Sequence, residues 1–185
     1  MTIEQIKEHL SSTLSEKRYR HSLAVADMAY ELAKVHSADA DKAYLAGLVH
    51  DVMREYPADR VSAYFSENAI ERTEFERNAP NLWHAMMGAN EIKVRFGIDD
   101  PYIINAVRYH TTARAGMSLL EKIIYIADCT SADRNYSDVE DYRRRARTDL
   151  DDAVKGALEF CRDSLNARGI PIHPDTLAAL NEFSS

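Results

Sequence analysis

Four histidines and two aspartates carry the chemistry that this sequence could do. His21, His50, His84 and His110 lie at or near the ends of apolar helical stretches, each about one helix and one connection from the next. The apolar run Leu45-Ala46-Gly47-Leu48-Val49 leads straight into His50 and Asp51. Asp128 repeats that pattern behind Ile123-Ile124-Tyr125-Ile126-Ala127. Burying a carboxylate costs several kcal/mol unless something compensates it, and a metal dication would compensate both aspartates at once. Neutral imidazole and carboxylate are the usual ligands of iron, manganese, zinc and related ions. Four histidines and two carboxylates exceed one tetrahedral zinc site. They suit two adjacent metals that share a bridging carboxylate. Any one of these residues alone reads as an ordinary core side chain or helix end, and it is the order H…HD…H…H…D on successive helices that carries the signal. His9, His36 and His173 sit among polar neighbours or in a tail and are read as lying outside the site.

The elements that must position these residues are helices. Thr2-x-x-Gln5 has the form of a capping box opening a helix to about Leu14. Further helices are expected over about 18–36, from Asp39 to about His50, over 59–68, over 82–96 with a stop at Gly97, and from Asp100-Pro101 to about His110. Ser118-x-x-Glu121 is a second capping box, opening a strongly apolar helix. One long polar helix is expected over about 139–166 with Gly169 as its stop, then a short helix from Pro174 to about Phe183, while residues 71–81 read as irregular.

Composition agrees with an all-α domain. The chain has 185 residues, 45% hydrophobic and 29% charged, with only 6 Gly and 5 Pro to supply the turns that a many-stranded fold would need. A net charge of −7 argues against nucleic acid as a partner. The basic cluster Arg143, Arg144, Arg145 and Arg147 is flanked by acidic residues and reads as a salt-bridged, solvated helix face. Two cysteines fit free thiols in a reducing cytoplasm. The first residues lack a signal-peptide core, and no apolar run approaches the ~20 residues that span a bilayer, so neither export nor a membrane partner is expected.

The residues around the six candidate ligands resemble the HD-domain superfamily of metal-dependent phosphohydrolases, and within it the bacterial YqeK family. The resemblance is carried by "RYRHSLAVADMAYELA" from Arg18, "AGLVHDVMREYP" from Ala46, "WHAMMGA" from Trp83, "AVRYHTTARAGMSLLEKIIYIAD" from Ala106, and the later Arg134. It runs from about Arg18 to Tyr136 and implies an HD-domain helical bundle over residues 1–136, while residues 137–185 lie mostly outside it and are expected to form a C-terminal helical extension packing on the same domain. It implies symmetrical hydrolysis of diadenosine tetraphosphate to two ADP by a hydroxide held between two metal ions, with iron foremost and manganese, cobalt or magnesium as alternatives. Carried over by position, His21, His50, Asp51 and Asp128 would hold one metal, and Asp51, His84 and His110 the second. Asp51 and Arg54 would take the catalytic roles. Arg18, Lys122 and Arg134 match basic positions of the family's motifs and would bind substrate, with Thr111 and Thr112 beside them.

Three positions depart from the family's pattern. Arg54 stands where lysine is common, Ala113 where glycine usually follows "HTT", and "CTSADR" (129–134) replaces a Glu-Pro-containing stretch. Two other readings stand beside the tetraphosphatase: a nucleotidase for mononucleotides or guanosine polyphosphates, and a non-catalytic metal- or nucleotide-binding module. In the extension, Ala153, Val154, Ala157, Leu158, Phe160 and Cys161 form an apolar stripe that would pack on the domain or, alternatively, form a homodimer face.

Overall fold

Side-chain caps begin most of the helices. In the computed structural model, which describes residues 1–183, Thr2 caps α1 (Ile3–Thr13) and Ser15 caps α2 (Glu16–Val35). Asp39 caps α3 (Ala40–Val49), and Asp100 with Pro101 at the first position opens α7 (Pro101–Tyr109). Each cap accepts a hydrogen bond from a backbone N–H that the helix itself cannot satisfy. Between α3 and α7 run a 3-10 turn at Ala58–Arg60, α4 (Val61–Glu67), α5 (Glu74–Arg77), a second 3-10 turn at Pro80–Leu82 and α6 (Trp83–Val94). Ser118 and Glu121 form the capping box of α8 (Leu119–Thr130). Helices α9 (Val139–Thr148), α10 (Leu150–Ala167) and α11 (Pro174–Phe183) complete the chain, and no strand occurs among the described residues.

Two expectations need correction. The long helix over 139–166 is two helices. Asp149 leaves helical geometry (φ −147°, ψ 102°), and its side chain accepts from the Asp152 N–H to cap α10. A residue whose side chain offers the backbone a local alternative breaks a continuous helical pattern. Within residues 71–81, expected to be irregular, Thr73 and Glu76 form a capping box that starts α5. Glu76 is buried there and is also bonded to Arg108.

Helix α8 lies at the centre. Ile123, Ile124, Ile126 and Ala127 are fully buried, and α2, α3, α7, α9 and α10 all pack on it. Ala153, Val154, Ala157 and Leu158 of the extension's apolar stripe are buried within this chain, whereas Phe160 is exposed. The arginine cluster is largely paired: Arg143 with Glu140, Arg144 with Asp141, and Arg145 with Asp152 at 2.6 Å. Arg143 does more than pair on the surface. Its guanidinium also donates to the carbonyls of Thr130, Ser131 and Arg134 at 2.8, 2.7 and 3.0 Å, and so holds the loop that leaves α8. No helix among the described residues is long and apolar enough to cross a membrane.

Helix α3 comes close onto α2. A Cβ on Gly47 would lie 2.9 Å from Ala26 Cα and 3.0 Å from the Val25 carbonyl oxygen, both backbone atoms that cannot swing aside. Glycine is therefore required here for proximity, and that proximity sets His21 and His50 side by side. We expect Gly47→Ala to cost about 1–3 kcal/mol, as overpacking of a tight interface does, read as a lower denaturant midpoint with an unchanged m-value.

Candidate metal centre and substrate cleft

Five helix segments aim one ligand each at a common point, and the turn after α3 adds a sixth. His21 projects from α2, His50 sits at the C-cap of α3, and Asp51 follows in the next turn. His84 is in the first turn of α6, His110 at the C-cap of α7, and Asp128 in the last turn of α8. Asp51 is at the middle. Its Oδ1 lies 3.3 Å from His84 Nε2 and 3.5 Å from His110 Nε2, and its Oδ2 lies 3.5 Å from His50 Nε2. His21 Nε2 is 3.0 Å from Asp128 Oδ1. The four histidines and Asp51 are each no more than 5% exposed.

The hydrogen bonds behind the rings decide which way their lone pairs point. His50 Nδ1 donates to the Gly47 carbonyl at 2.7 Å, and His110 Nδ1 donates to that of Val107 at 2.8 Å. His21 Nδ1 faces the Asp133 carboxylate at 2.8 Å. A neutral ring that donates from Nδ1 carries a bare lone pair on Nε2. Nε2 of His21 and Nε2 of His50 are buried and have no hydrogen-bond partner, although each is near an aspartate oxygen. Lone pairs turned toward carboxylate oxygens inside a protein repel one another unless a cation sits between them. This donor set fits a metal: His21, His50 and Asp51 form one group with ligand atoms close enough to hold an ion, Asp51, His84 and His110 a second, and His50, His110 and Asp128 a third.

Charge balance points the same way. Burial opposes ionisation of Asp51, but His50, with His110 and His84, holds its carboxyl well below the usual carboxylate range. Burial opposes Asp128 too, and His21, His50 and Arg134 bring it below its ordinary value. For His50, burial works against the charged form and Asp51 outweighs it, so the ring is pushed up. Its surroundings thus favour positive charge at that position, whether a proton or a metal ion. Burial lowers His84 to about 4, with His110 and Arg54 adding to the shift against the pull of Asp51, so its ring is neutral at pH 7.

Three arginines line the cleft above these ligands. Arg18 Nη1 donates to Asp51 Oδ2 at 2.7 Å, Arg134 Nη2 to Asp128 Oδ1 at 2.5 Å, and Arg54 Nη1 to His84 Nδ1 at 2.9 Å. The cleft encloses about 280 Å³ and shares Asn81, Leu82 and Thr111 with one neighbouring cavity and His110, Thr111, Asp128 and Arg134 with another. The larger, about 500 Å³, has apolar walls from Phe75, Leu82, Leu165 and Ile170, with His173 and Thr112 among its polar members. The other, about 390 Å³, is bordered by Tyr136, Tyr142, Phe160 and Arg168. Thr111 lines all three spaces, and its hydroxyl is buried without a partner.

All six expected ligands therefore meet, and Arg18, Arg54, Arg134 and Thr111 border the cleft with them. Thr112 lines the larger cavity, and its hydroxyl is turned back onto the Ala113 carbonyl at 2.9 Å. Lys122 does not reach the cleft. Its ammonium pairs with Asp151 of α10 at 2.7 Å and lies over the Phe183 ring, because a side chain six residues before Asp128 on α8 leaves the helix on another face. His36 stays outside, its Nε2 2.7 Å from the Ala146 carbonyl. His173, expected in an open tail, is buried and accepts from the Asp175 N–H at 3.1 Å at the start of α11. Asp133 was not foreseen, and its only sequence signal is its place beside Arg134. Ala113 takes the left-handed backbone (φ +55°) that glycine favours, while fully buried.

The HD domain family matches residues 18–133 of the chain. Over 181 residues it is 34% identical to the "Bis(5'-nucleosyl)-tetraphosphatase, symmetrical" of Bacillus subtilis (strain 168), covering 98% of this chain and 97% of that protein. It is 36% identical to the protein of the same name from Halalkalibacterium halodurans, covering 98% and 94%. Among solved structures, a "predicted HD superfamily hydrolase involved in NAD metabolism" from Clostridium acetobutylicum superposes with a TM-score of 0.95 at 35% identity, covering 100% of this chain and 97% of that one.

Proposed function

The chain belongs to the HD-domain family, and on that premise we propose that it is a metal-dependent phosphohydrolase that cuts diadenosine tetraphosphate symmetrically into two ADP, the activity named for relatives that match it end to end. The observation that carries this reading is the layout of the cleft. A cation site forms its floor, three guanidiniums border it, and two further cavities share lining residues with it. Both cavities fall in the size range of small-molecule sites. A mononucleotide would need one of them; a molecule with a nucleoside at each end would use both.

His21, His50, Asp51 and Asp128 would hold one metal ion, and Asp51, His84 and His110 the other, with iron foremost and manganese, cobalt or magnesium able to stand in. Bound there, the ions supply an activated water as nucleophile and neutralise charge on the phosphoryl oxygens. The remaining work falls to the chain's own side chains. Arg18, Arg54 and Arg134 offer forked donors to phosphate oxygens, and the Thr111 hydroxyl offers another at the junction of the three spaces. The rings of Tyr136, Tyr142 and Phe160 can stack on one adenine, and the apolar wall around Phe75 can cover the other. With the middle of the polyphosphate at the metal ligands, each half of the substrate would keep two phosphates.

Metal-loaded protein incubated with diadenosine tetraphosphate should release ADP alone, resolved by chromatography. ATP plus AMP would show an off-centre substrate. A faster reaction on any mononucleotide would overturn the proposal. Asp51→Ala should abolish turnover and lose bound metal by elemental analysis, and wild-type metal content in that variant would remove Asp51 from the bridging role. Lys122→Met should leave kcat/KM within about twofold, because the ammonium is committed to an exposed pair with Asp151. His36→Ala should keep turnover while costing about 1 kcal/mol for its lost bond to the backbone.

A further inference from the structure

The two halves of the centre differ in what stands behind their histidines. Behind His21 is a carboxylate, Asp133, 2.8 Å from Nδ1. A carboxylate there can only accept, so the proton is on Nδ1 and the Nε2 lone pair is free to face the centre. A ligand histidine backed this way is fixed in tautomer and orientation and made more basic. Asp133 is itself held in place. Ser131 Oγ donates to its other oxygen at 2.7 Å, and Arg143 grips the carbonyls of Thr130, Ser131 and Arg134 around it.

Behind His84 stands the opposite partner. Arg54 Nη1 lies 2.9 Å from His84 Nδ1, and a guanidinium can only donate. His84 Nδ1 must therefore accept, which leaves the proton of the neutral ring on Nε2. That Nε2–H has an acceptor in place: His110 Nε2, 3.2 Å away, whose ring already donates from Nδ1 to Val107. The proton positions are thus set along the row from Arg54 through His84 and His110 to the Val107 carbonyl. The His84–His110 half is closed by the His84 Nε2–H, which faces both His110 Nε2 at 3.2 Å and Asp51 Oδ1 at 3.3 Å. The His21–His50 half is open, its two Nε2 atoms buried without a hydrogen-bond partner.

We propose that the two metal positions are unequal: the ion at His21 and His50 binds first and tightly, and the ion at His84 and His110 binds weakly because Arg54 must first leave His84. Asp133 is a positioning residue for the first ion. Arg54 is a competitor of the second, and it borders the cleft, where its Nη1 also donates to the Asn81 carbonyl at 3.3 Å. Filling the second position thus frees a guanidinium for substrate phosphate. This inference rests on the metal reading above.

The test is a titration of chelator-stripped, full-length protein with Mn2+, following free ion by electron paramagnetic resonance. Two steps at least about tenfold apart are expected. Asp133→Ala should weaken the first step by about 10–100-fold and leave the second unchanged. Arg54→Met should tighten the second by about tenfold, the worth of one charge-assisted hydrogen bond, and leave the first unchanged. Ser131→Ala, which removes the loop's bond to Asp133 but not the bond to His21, should change neither step by more than about twofold. In the metal-free protein, 15N shifts should place the proton on Nδ1 of His21 and on Nε2 of His84. Two equal steps, or wild-type first-step affinity in Asp133→Ala, would overturn the inequality while leaving the metal reading intact. A fall in metal-free melting temperature as large as the fall in the loaded protein would make Asp133 merely a loop brace and overturn its positioning role. No Mn2+ bound by the wild type would overturn both readings together.

Discussion

A buried carboxylate surrounded by imidazoles is the constraint on which the rest of the structure depends. Asp51 is 4% exposed, and an unpaired charge at that depth would cost many kcal/mol. The fold answers with Arg18 on one oxygen and with three imidazole nitrogens 3.3 to 3.5 Å away. Asp128 adds a second negative charge across His21 and His50, and Arg134 meets it. The arginines leave the inward lone pairs of the histidines unanswered, and cations bound among the ligands would satisfy them. The same features that make the site costly without metal are those that make it selective for it.

The constraint reaches outward through helix geometry. To converge, ligands from five helices must come from helix ends or from faces pressed into the middle, where neighbouring backbones run close. Gly47, Ala26 and Ala29 keep α2 and α3 near enough for the His21 and His50 rings to stand 5.3 Å apart, edge to face. Placing His50 and His110 at C-caps has a second use. The last turn of a helix leaves carbonyls without partners, and those of Gly47 and Val107 take the Nδ1 protons. Asp128 is in a less favourable place, since a helix C-terminus repels an anion. Arg134 compensates by bonding both the Asp128 carboxylate and its carbonyl.

What the sequence made legible was local or periodic. Capping boxes at Thr2 and Ser118, the Asp100-Pro101 start and the apolar runs ending in Asp51 and Asp128 each carry their meaning within a few residues. They placed the helices and, with them, all six ligand candidates. What remained hidden depended on which way a helix faces or on contacts distant in sequence. Lys122 lies on the right helix and the wrong face. Asp133 matters only because His21, 112 residues away, turns its ring toward it. The break at Asp149 was obscured because an aspartate in a run of charged residues looks like a solvated helix face until it caps a new helix instead. His173 precedes a proline in a tail, and its burial comes from residues distant in sequence, the Phe75 ring among them.

The floor of the cleft comes from one part of the chain, and its walls draw on that part and on the C-terminal residues together. Every candidate ligand falls within residues 18–133, the stretch shared with the HD domain family. One cavity beside the cleft joins Phe75, Leu82 and Thr112 to Leu165, Ile170 and His173, and the other joins His110, Tyr125 and Asp128 to Tyr136, Tyr142, Phe160 and Arg168. The extension also reaches the HTT turn itself, where Thr176 Oγ1 donates to the Thr112 carbonyl at 2.7 Å beside the left-handed Ala113. That backbone conformation disfavours a residue with a Cβ, and it is held by burial and by this contact from outside the core. The ligands are tied to one another by charge and cannot change singly without leaving a buried group unpaired. The C-terminal part of the walls carries no such restriction. Substitutions in the last fifty or so residues can therefore reshape what lies beside the metals without disturbing the metals' own ligands, which is how one centre of this kind can serve many phosphoesters on a common fold.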